Sequence, residues 1–272
     1  MAIISSFNHA QLFGFFLALI FSLIFVPIVI RQSKRWGCVD EPGERKIHQT
    51  ALPRIGGVAI WVGFMLAFGV LMVLFGQYPD GGNTDNGLTG ILLGGAIMFT
   101  LGLLDDRFGL SPYVKLIVQF IAAGVAFYFG VEIAALDLPD SKLLVLDAMS
   151  LPVTLIWLVG ISNAMNLIDG VDGLAGGVTV ISGITLALVA VFTHQPIAAV
   201  LSALLAGSAL GFLIYNFFPA RLFMGDSGSL FCGFTLAAIA VTGVLKTQVA
   251  VVLVPMVVLS VPLFDMTFSI IR

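Results

Sequence analysis

Charge is what this sequence has least of. Asp, Glu, Lys and Arg make up 10% of its 272 residues and 59% are hydrophobic, whereas an ordinary soluble domain carries about 25% charged residues. So little charge excludes a water-soluble globule of this length and reads as an integral membrane protein. The net charge is −3, with no tract of like charges; the basic surface that a nucleic-acid partner requires is missing. Cysteine is sparse too. Cys38 and Cys232 lie far apart and outside any CxxC or His/Cys cluster, which excludes zinc and redox motifs and leaves two plain thiols. The first ten residues contain no Lys or Arg, and the apolar run Leu12–Ile30 ends in RQSKR rather than in a small-residue cleavage site. That pattern is a retained helix, not a signal peptide. No repeat or low-complexity linker divides the chain, so residues 1–272 read as a single membrane domain.

What is present is a series of apolar stretches of spanning length, each bounded by charge, Pro, Gly or Asn. They lie near 11–30, 54–76, 87–104, 113–131, 151–168, 176–193, 197–215, 228–245 and 249–270. The expectation is an all-α, polytopic bundle of about nine transmembrane helices. Arg31, Lys34, Arg35, Arg45, Lys46, Arg54, Arg107, Lys115, Arg221 and Arg272 fall on one set of alternate loops, and only Lys142 and Lys246 on the other. By the positive-inside rule the first set is cytoplasmic, which puts the N-terminus outside and Arg272 inside.

Acidic residues are not placed by that rule, so their positions carry separate information. Asp80, Asp85, Glu132, Asp137, Asp140 and Asp147 sit in outer loops as solvated charge. Asp105, Asp106, Asp169, Asp172, Asp226 and Asp265 instead lie at or beside the cytoplasmic ends of expected helices. Carboxylates at that depth are costly unless paired, hydrated or bound to a cation.

Four segments concentrate this chemistry. LGLLDDRFGLSP places Asp105 and Asp106 at the end of one helix, with Lys115 in the first turn of the next; a capped, solvated turn is the alternative. In NAMNLIDGVDGL, Asn163, Asn166, Asp169 and Asp172 recur every three residues, so a continuing helix would stack them on one drifting face. Their oxygens suit a hard cation such as Mg²⁺; a polar helix end is the plainer reading. RLFMGDSGSLFCGF sets Asp226 between two glycines before the eighth helix, where Asp226 or Ser227 is either the N-cap or part of a phosphate site. ERKIHQTALPRIGGV carries Arg45, Lys46, His48 and Arg54, which either satisfy the orientation rule alone or also hold anionic groups. Oxygen ligands and cations on one face point to phosphate chemistry at the membrane surface, an active site on the cytoplasmic side. An ion-coupled membrane transporter, the rival from another class, would carry ionisable residues near mid-span, and these middles are almost free of charge.

KIHQTALPRIGG, LGLLDDRFGLS, NAMNLIDGVDGLAGG and FMGDSGSLFCGF, in this order, resemble the motifs of the polyprenyl-phosphate N-acetylhexosamine-1-phosphate transferase family, the glycosyltransferase family 4 type. The resemblance covers nearly the whole chain. The HQxxxPRxGG form of the first loop resembles the branch that uses UDP-GlcNAc rather than the branch that uses UDP-MurNAc-pentapeptide. It implies a multi-pass protein of the bacterial cytoplasmic (inner) membrane, transferring GlcNAc 1-phosphate to undecaprenyl phosphate with release of UMP, to begin lipid-linked cell-envelope polysaccharide synthesis. Another UDP-N-acetylhexosamine or UDP-MurNAc-pentapeptide is the alternative donor. The resemblance also implies Mg²⁺, with Mn²⁺ as substitute, held by Asp226 and Asn166. Asp105, Asp106 and Asp226 match the catalytic acids. Lys115, Asp169, Asp172, Asn163, Lys46, His48 and Arg54 match substrate contacts, and a homodimer is compatible with the fold by resemblance alone. Family members continue beyond the ninth helix into a His-rich cytoplasmic loop and further helices. This sequence ends at Arg272, and His9, His48 and His194 do not form that motif. The expectation is a partial chain that binds Mg²⁺ and lipid phosphate but turns over poorly by itself.

Overall fold

The computed structural model describes residues 9–40, 52–75, 85–137 and 143–244. Eight helices run through them: α1 (His9–Trp36), α2 (Gly57–Phe75), α3 (Asp85–Phe108), α4 (Pro112–Tyr128), α5 (Ser150–Ile168), α6 (Leu174–Phe192), α7 (Pro196–Asn216) and α8 (Gly225–Ile239). A π-helical segment, Ala240–Val244, continues α8. Each of the first eight expected spans coincides with one helix to within a few residues. The ninth, 249–270, lies outside the described residues, as do Lys46 and His48. Among the described residues seven helices are long and apolar enough to cross a membrane; α4 is a shorter apolar helix of 17 residues. The protein is an all-α, multi-pass membrane protein. Helices suit such a sequence because hydrocarbon offers the backbone no partner and a helix satisfies its polar groups internally.

Two hairpins were not anticipated. β1 (Val39–Asp40) pairs antiparallel with β2 (Leu52–Pro53) between α1 and α2, and β3 (Ala135–Asp137) pairs antiparallel with β4 (Leu143–Val145) between α4 and α5. Strands this short carry little sequence signal. The β3–β4 end is fastened where Ser150 Oγ donates to Glu132 Oε1 (2.6 Å) and the Ile133 N–H donates to Thr154 Oγ1 (3.0 Å). The opposite end, with β1–β2, the ends of α3 and α5 and the start of α8, carries most of the described acids.

α8 is the axis of the fold. Every residue of Gly225–Ile239 except Asp226 is buried, and α3, α5 and α2 all pack on it. The segment GDSGSLFCGF permits this because small residues let backbones approach, the main source of helix association where lipid removes the usual hydrophobic drive. Gly57 of α2 meets the backbone of Gly228; a side chain at Gly102 of α3 would run into the backbone of Asp226 and Ser227; Gly233 receives Ser162 and Met165 of α5. Leucine at Gly57 or Gly102 would therefore push α2 or α3 away from the start of α8. Around this axis Phe64, Phe212 and Phe234 are fully buried, and Phe64 meets Phe231 edge-on with ring centroids 5.5 Å apart.

Candidate active site

The turn between α3 and α4 is encoded locally. Gly109 adopts φ +65° and ends α3, Ser111 Oγ accepts the Val114 N–H (3.4 Å), and Pro112 opens α4. A glycine past a helix end followed by a serine cap and a first-turn proline is the expected order. Asp105 reinforces the turn, since its backbone oxygen accepts from Gly109 (2.9 Å) and its Oδ1 from the Leu110 N–H (2.7 Å). Lys115 is thereby carried back over the end of α3. Its Nζ lies 3.0 Å from Asp105 Oδ2 and 3.1 Å from Asp226 Oδ2. Lys115 keeps 26% of its side chain exposed, against 13% for Asp105 and 16% for Asp226, so the lysine is the member of this trio most open to an arriving anion.

The start of α8 is held by the loop before it and by two acids from elsewhere. The Phe223 N–H donates to Pro53 O (2.7 Å), Gly56 donates to Phe223 O (2.9 Å) and Gly57 to Met224 O (2.8 Å), so residues 223–224 add on to the chain leaving β2. Gly225 then takes φ +74°, and a side chain there would strike Arg54 O and the Asp106 carboxylate. The first N–H groups of α8 have no partner within the helix. Gly225 donates to Asp169 Oδ2 (3.1 Å), Asp226 to Asp106 Oδ1 (2.8 Å) and Ser227 to Asp106 Oδ2 (3.1 Å). Here the structure corrects a sequence reading. Neither Asp226 nor Ser227 is the N-cap; that position is Met224, which makes no side-chain cap bond. The caps come from α3 and from the end of α5, and this leaves the Asp226 carboxylate in the first turn facing Lys115.

The three-residue spacing of NAMNLIDGVDG also resolves differently from a continuous face. α5 ends at Ile168 with Asp169 as its C-cap, and Gly173, at φ +74°, begins α6. Asn163 and Asn166 are on the helix, whereas Asp169 and Asp172 are in the turn. Asn163 exchanges hydrogen bonds with Gln119 of α4 (2.6 and 3.2 Å) and donates to Val159 O (2.8 Å), so it joins two helices outside the trio. Asn166 donates to Ser229 Oγ (2.9 Å), which itself donates to Gly225 O (3.0 Å), and its side chain also interacts with that of Asp226. Asp172 Oδ2 accepts the Ala220 N–H (3.0 Å), fixing the loop before α8. Arg54 is exposed and its N–H donates to Cys38 O (3.1 Å); its charge acts on Asp169.

Sequence reasoning passed over three residues here. Gln119 is buried one turn after Lys115, Ser229 links Asn166 to the first turn of α8, and Asn216 is buried while accepting the Gly173 N–H (3.0 Å) and donating to Leu222 O (2.9 Å). A polar side chain inside an apolar span was the available signal for Gln119 and Asn216, because such groups are buried only with partners.

Asp169 is half-buried as a residue, but its carboxyl is enclosed by protein. Desolvation raises its pKa well above the ordinary carboxylate range, and the negative Asp106 and Asp226 push the same way against the Gly225 N–H. Among the described residues no three His, Cys, Asp or Glu side chains converge as a metal-binding group. A hard cation such as Mg²⁺ takes one or two carboxylates and fills its remaining positions with phosphate oxygens and water. Asp226, with Asp105 and Asn166 beside it, is the oxygen set that fits. Both cysteines are free and buried, consistent with plain thiols.

Comparison with known proteins places these motifs. A family model described as Glycosyl transferase family 4 matches residues 88–244, a stretch that holds the whole acid cluster. The chain is similar to a probable undecaprenyl-phosphate N-acetylglucosaminyl 1-phosphate transferase of Bacillus subtilis, 39% identical over 95% of this chain and 70% of that protein. It is also similar to a decaprenyl-phosphate N-acetylglucosaminephosphotransferase of Mycobacterium tuberculosis, 38% identical over 77% of this chain and 54% of that protein. A phospho-N-acetylmuramoyl-pentapeptide-transferase of Clostridium botulinum is 32% identical over 90% of this chain and 76% of that protein.

Proposed function

The chain belongs to glycosyl transferase family 4 and is an enzyme of that family, and from that premise we propose that it transfers an N-acetylhexosamine 1-phosphate from a UDP-sugar to a polyprenyl phosphate. GlcNAc is the proposed sugar and undecaprenyl phosphate the proposed acceptor. The Bacillus relative, whose name carries both, supports this, as does the HQxxxPRxGG form of the first loop. UDP-MurNAc-pentapeptide is the second reading, kept because of the Clostridium relative. A bacterial inner membrane, a site on its cytoplasmic side and a homodimer complete the proposal; the distribution of Lys and Arg supports the orientation.

The observation that carries the reading is Lys115 Nζ, seated between the carboxylates of Asp105 and Asp226 where three helix ends meet. In the reaction an oxygen of the lipid phosphate bonds to the phosphorus next to the sugar. The bond from that phosphorus to UMP breaks, and UMP departs with the electron pair. Catalysis of such a transfer rests on positioning and on offsetting charge. Lys115 supplies the mobile, partly exposed cation for a phosphate. Asp226 and Asn166 are the residues that would hold Mg²⁺, which when bound would offset the charge of the pyrophosphate oxygens. Asp105 orients Lys115 and closes the α3–α4 turn. Asp106 and Asp169 keep the first turn of α8, and with it the Asp226 carboxylate, in place.

The test is transfer from radiolabelled UDP-GlcNAc to undecaprenyl phosphate by a purified full-length form of the protein with Mg²⁺, followed by addition of UMP. Label should enter the lipid and return to UDP-GlcNAc when UMP is added; a parallel reaction with UDP-MurNAc-pentapeptide should give no lipid product. Lipid labelling only from the pentapeptide donor would replace the first reading with the second. No lipid product from either donor by folded protein would overturn both.

A further inference from the structure

The groove between α1 and α2 has a graded lining that shares no residue with the acid cluster. Phe25, Ile28, Val29, Val58 and Val62 line one part, and Arg31, Gln32, Arg35 and Trp36 line the other, around about 450 Å³. On α1 these positions follow helical spacing: 25, 28, 29, 32, 35 and 36 lie on one face, and Val58 and Val62 stand one turn apart on α2. The apolar part comes first along α1 and both guanidiniums follow in its last two turns. Ten residues of helix, from 25 to 35, span about 15 Å. The groove thus changes from hydrocarbon-like to cationic over the length of a headgroup and the first part of an acyl chain.

We propose that this groove binds an anionic phospholipid of the surrounding bilayer, its phosphate at Arg31 and Arg35 and one acyl chain along Phe25, Ile28, Val58 and Val62. Charge complementarity selects an anion, since Arg presents a planar donor fork matched to phosphate oxygens. Trp36 is 42% exposed at the same rim, the position an indole takes at a membrane interface. The geometry also favours a bilayer lipid over the lipid substrate. α1 packs chiefly on α2 and α7, whereas Lys115 lies on α4, which packs on α3 and α5; no groove residue belongs to the acid cluster. The groove nevertheless borders the site through one short path. α1 leads through Cys38 to Arg54, whose N–H bonds Cys38 O, and Arg54 O lies against Gly225. A lipid clamped at Arg31 and Arg35 steadies the end of α1 from which that path starts.

The experiment is quenching of Trp36 fluorescence by spin-labelled phosphatidylglycerol or phosphatidylcholine, with the protein in nanodiscs of otherwise fixed composition and Trp36→Phe giving the background of the other two tryptophans. Phosphatidylglycerol should be preferred. Arg31→Gln with Arg35→Gln should weaken that preference by roughly 30-fold, from the attraction two surface cations give an anionic headgroup. Val62→Phe, which fills the groove and leaves the charges and the tryptophans in place, should abolish it too, and covers the case in which the charge variant fails to fold. Equal quenching by both lipids, an unchanged preference in Val62→Phe, or displacement of phosphatidylglycerol by stoichiometric undecaprenyl phosphate would each overturn the proposal.

Discussion

Asp106→Asn keeps the side chain's size and replaces one of two acceptor oxygens with an amide donor. In the native arrangement those oxygens take the N–H groups of Asp226 and Ser227 at 2.8 and 3.1 Å. A hydrogen bond to a charged group contributes about 1.5–3 kcal/mol, and a buried donor left without a partner costs about 1–3 kcal/mol. Asn keeps one bond and sets an amide N–H against the other donor, so it should cost about 2 kcal/mol. Asp106→Ala loses both bonds and should cost about 4 kcal/mol, more than the usual loss of about 0.5–2 for a helix cap, because Ser227 is fully buried. Thermal unfolding of the purified variants, paired with initial rates across pH, is the assay. If Asp106 acts as a clamp on α8, the unfolding temperature falls in the order wild type, Asn, Ala. The turnover number then drops with it, while the pH profile of the Asn variant keeps the wild-type shape. A variant that unfolds at the wild-type temperature yet loses activity and its acidic limb would show Asp106 to be a base, and the clamp argument would fail.

Two further substitutions separate the roles of the other acids. Asp226→Asn removes a carboxylate from the oxygen set proposed for Mg²⁺ and should lower transfer about 100-fold, the scale of losing one preorganised electrostatic contact, without lowering the unfolding temperature; wild-type turnover, or loss of the fold, would refute the assignment. Asp169→Asn tests burial. Because the native pKa lies above that of an unfolded aspartate, the fold favours the protonated form, whose contribution is complete below the ordinary carboxylate range and is lost as pH rises through the raised native value. Asn imitates that neutral form and retains an oxygen for the Gly225 N–H. Its unfolding temperature relative to wild type should therefore improve from pH 5 to pH 8, and a relative decline over that range would show that the charged form is the one the fold stabilises.

The helices were legible because hydrocarbon-spanning segments have one dominant signal, long apolar runs ending in polar residues. The capping of α8 was not. Its partners lie 120, 121 and 56 residues away in sequence, so no local pattern encodes them. One hint was present: FMGD puts methionine at the N-cap, among the poorest residues there, which means that the orphan N–H groups must be satisfied from another element. The regular spacing in NAMNLIDGVDG misled for a related reason. Periodicity describes a helix only while the helix lasts, and α5 stops at Ile168, one residue before the first of its two aspartates.

The polar residues of these motifs are not uniform, because their side chains are held by different partners. Asp106 and Asp169 are committed to α8, Asp172 to the loop before it and Asn163 to Gln119. Asp226 and Lys115 instead face each other as side chains, with Asn166 alongside, and Asp105 divides its two oxygens between the Leu110 N–H and Lys115. An acid whose oxygens hold backbone N–H groups moves a helix when it is lost; an acid whose partner is a half-exposed lysine gives that partner up to an incoming phosphate or cation. Adjacent Asp105 and Asp106 differ because neighbouring residues on a helix point in different directions: Asp106 spends both oxygens on the start of α8, whereas Asp105 keeps one for Lys115. Lys115→Gln should accordingly weaken transfer while leaving the unfolding temperature closer to wild type than Asp106→Ala does, and the reverse ranking would dissolve the distinction.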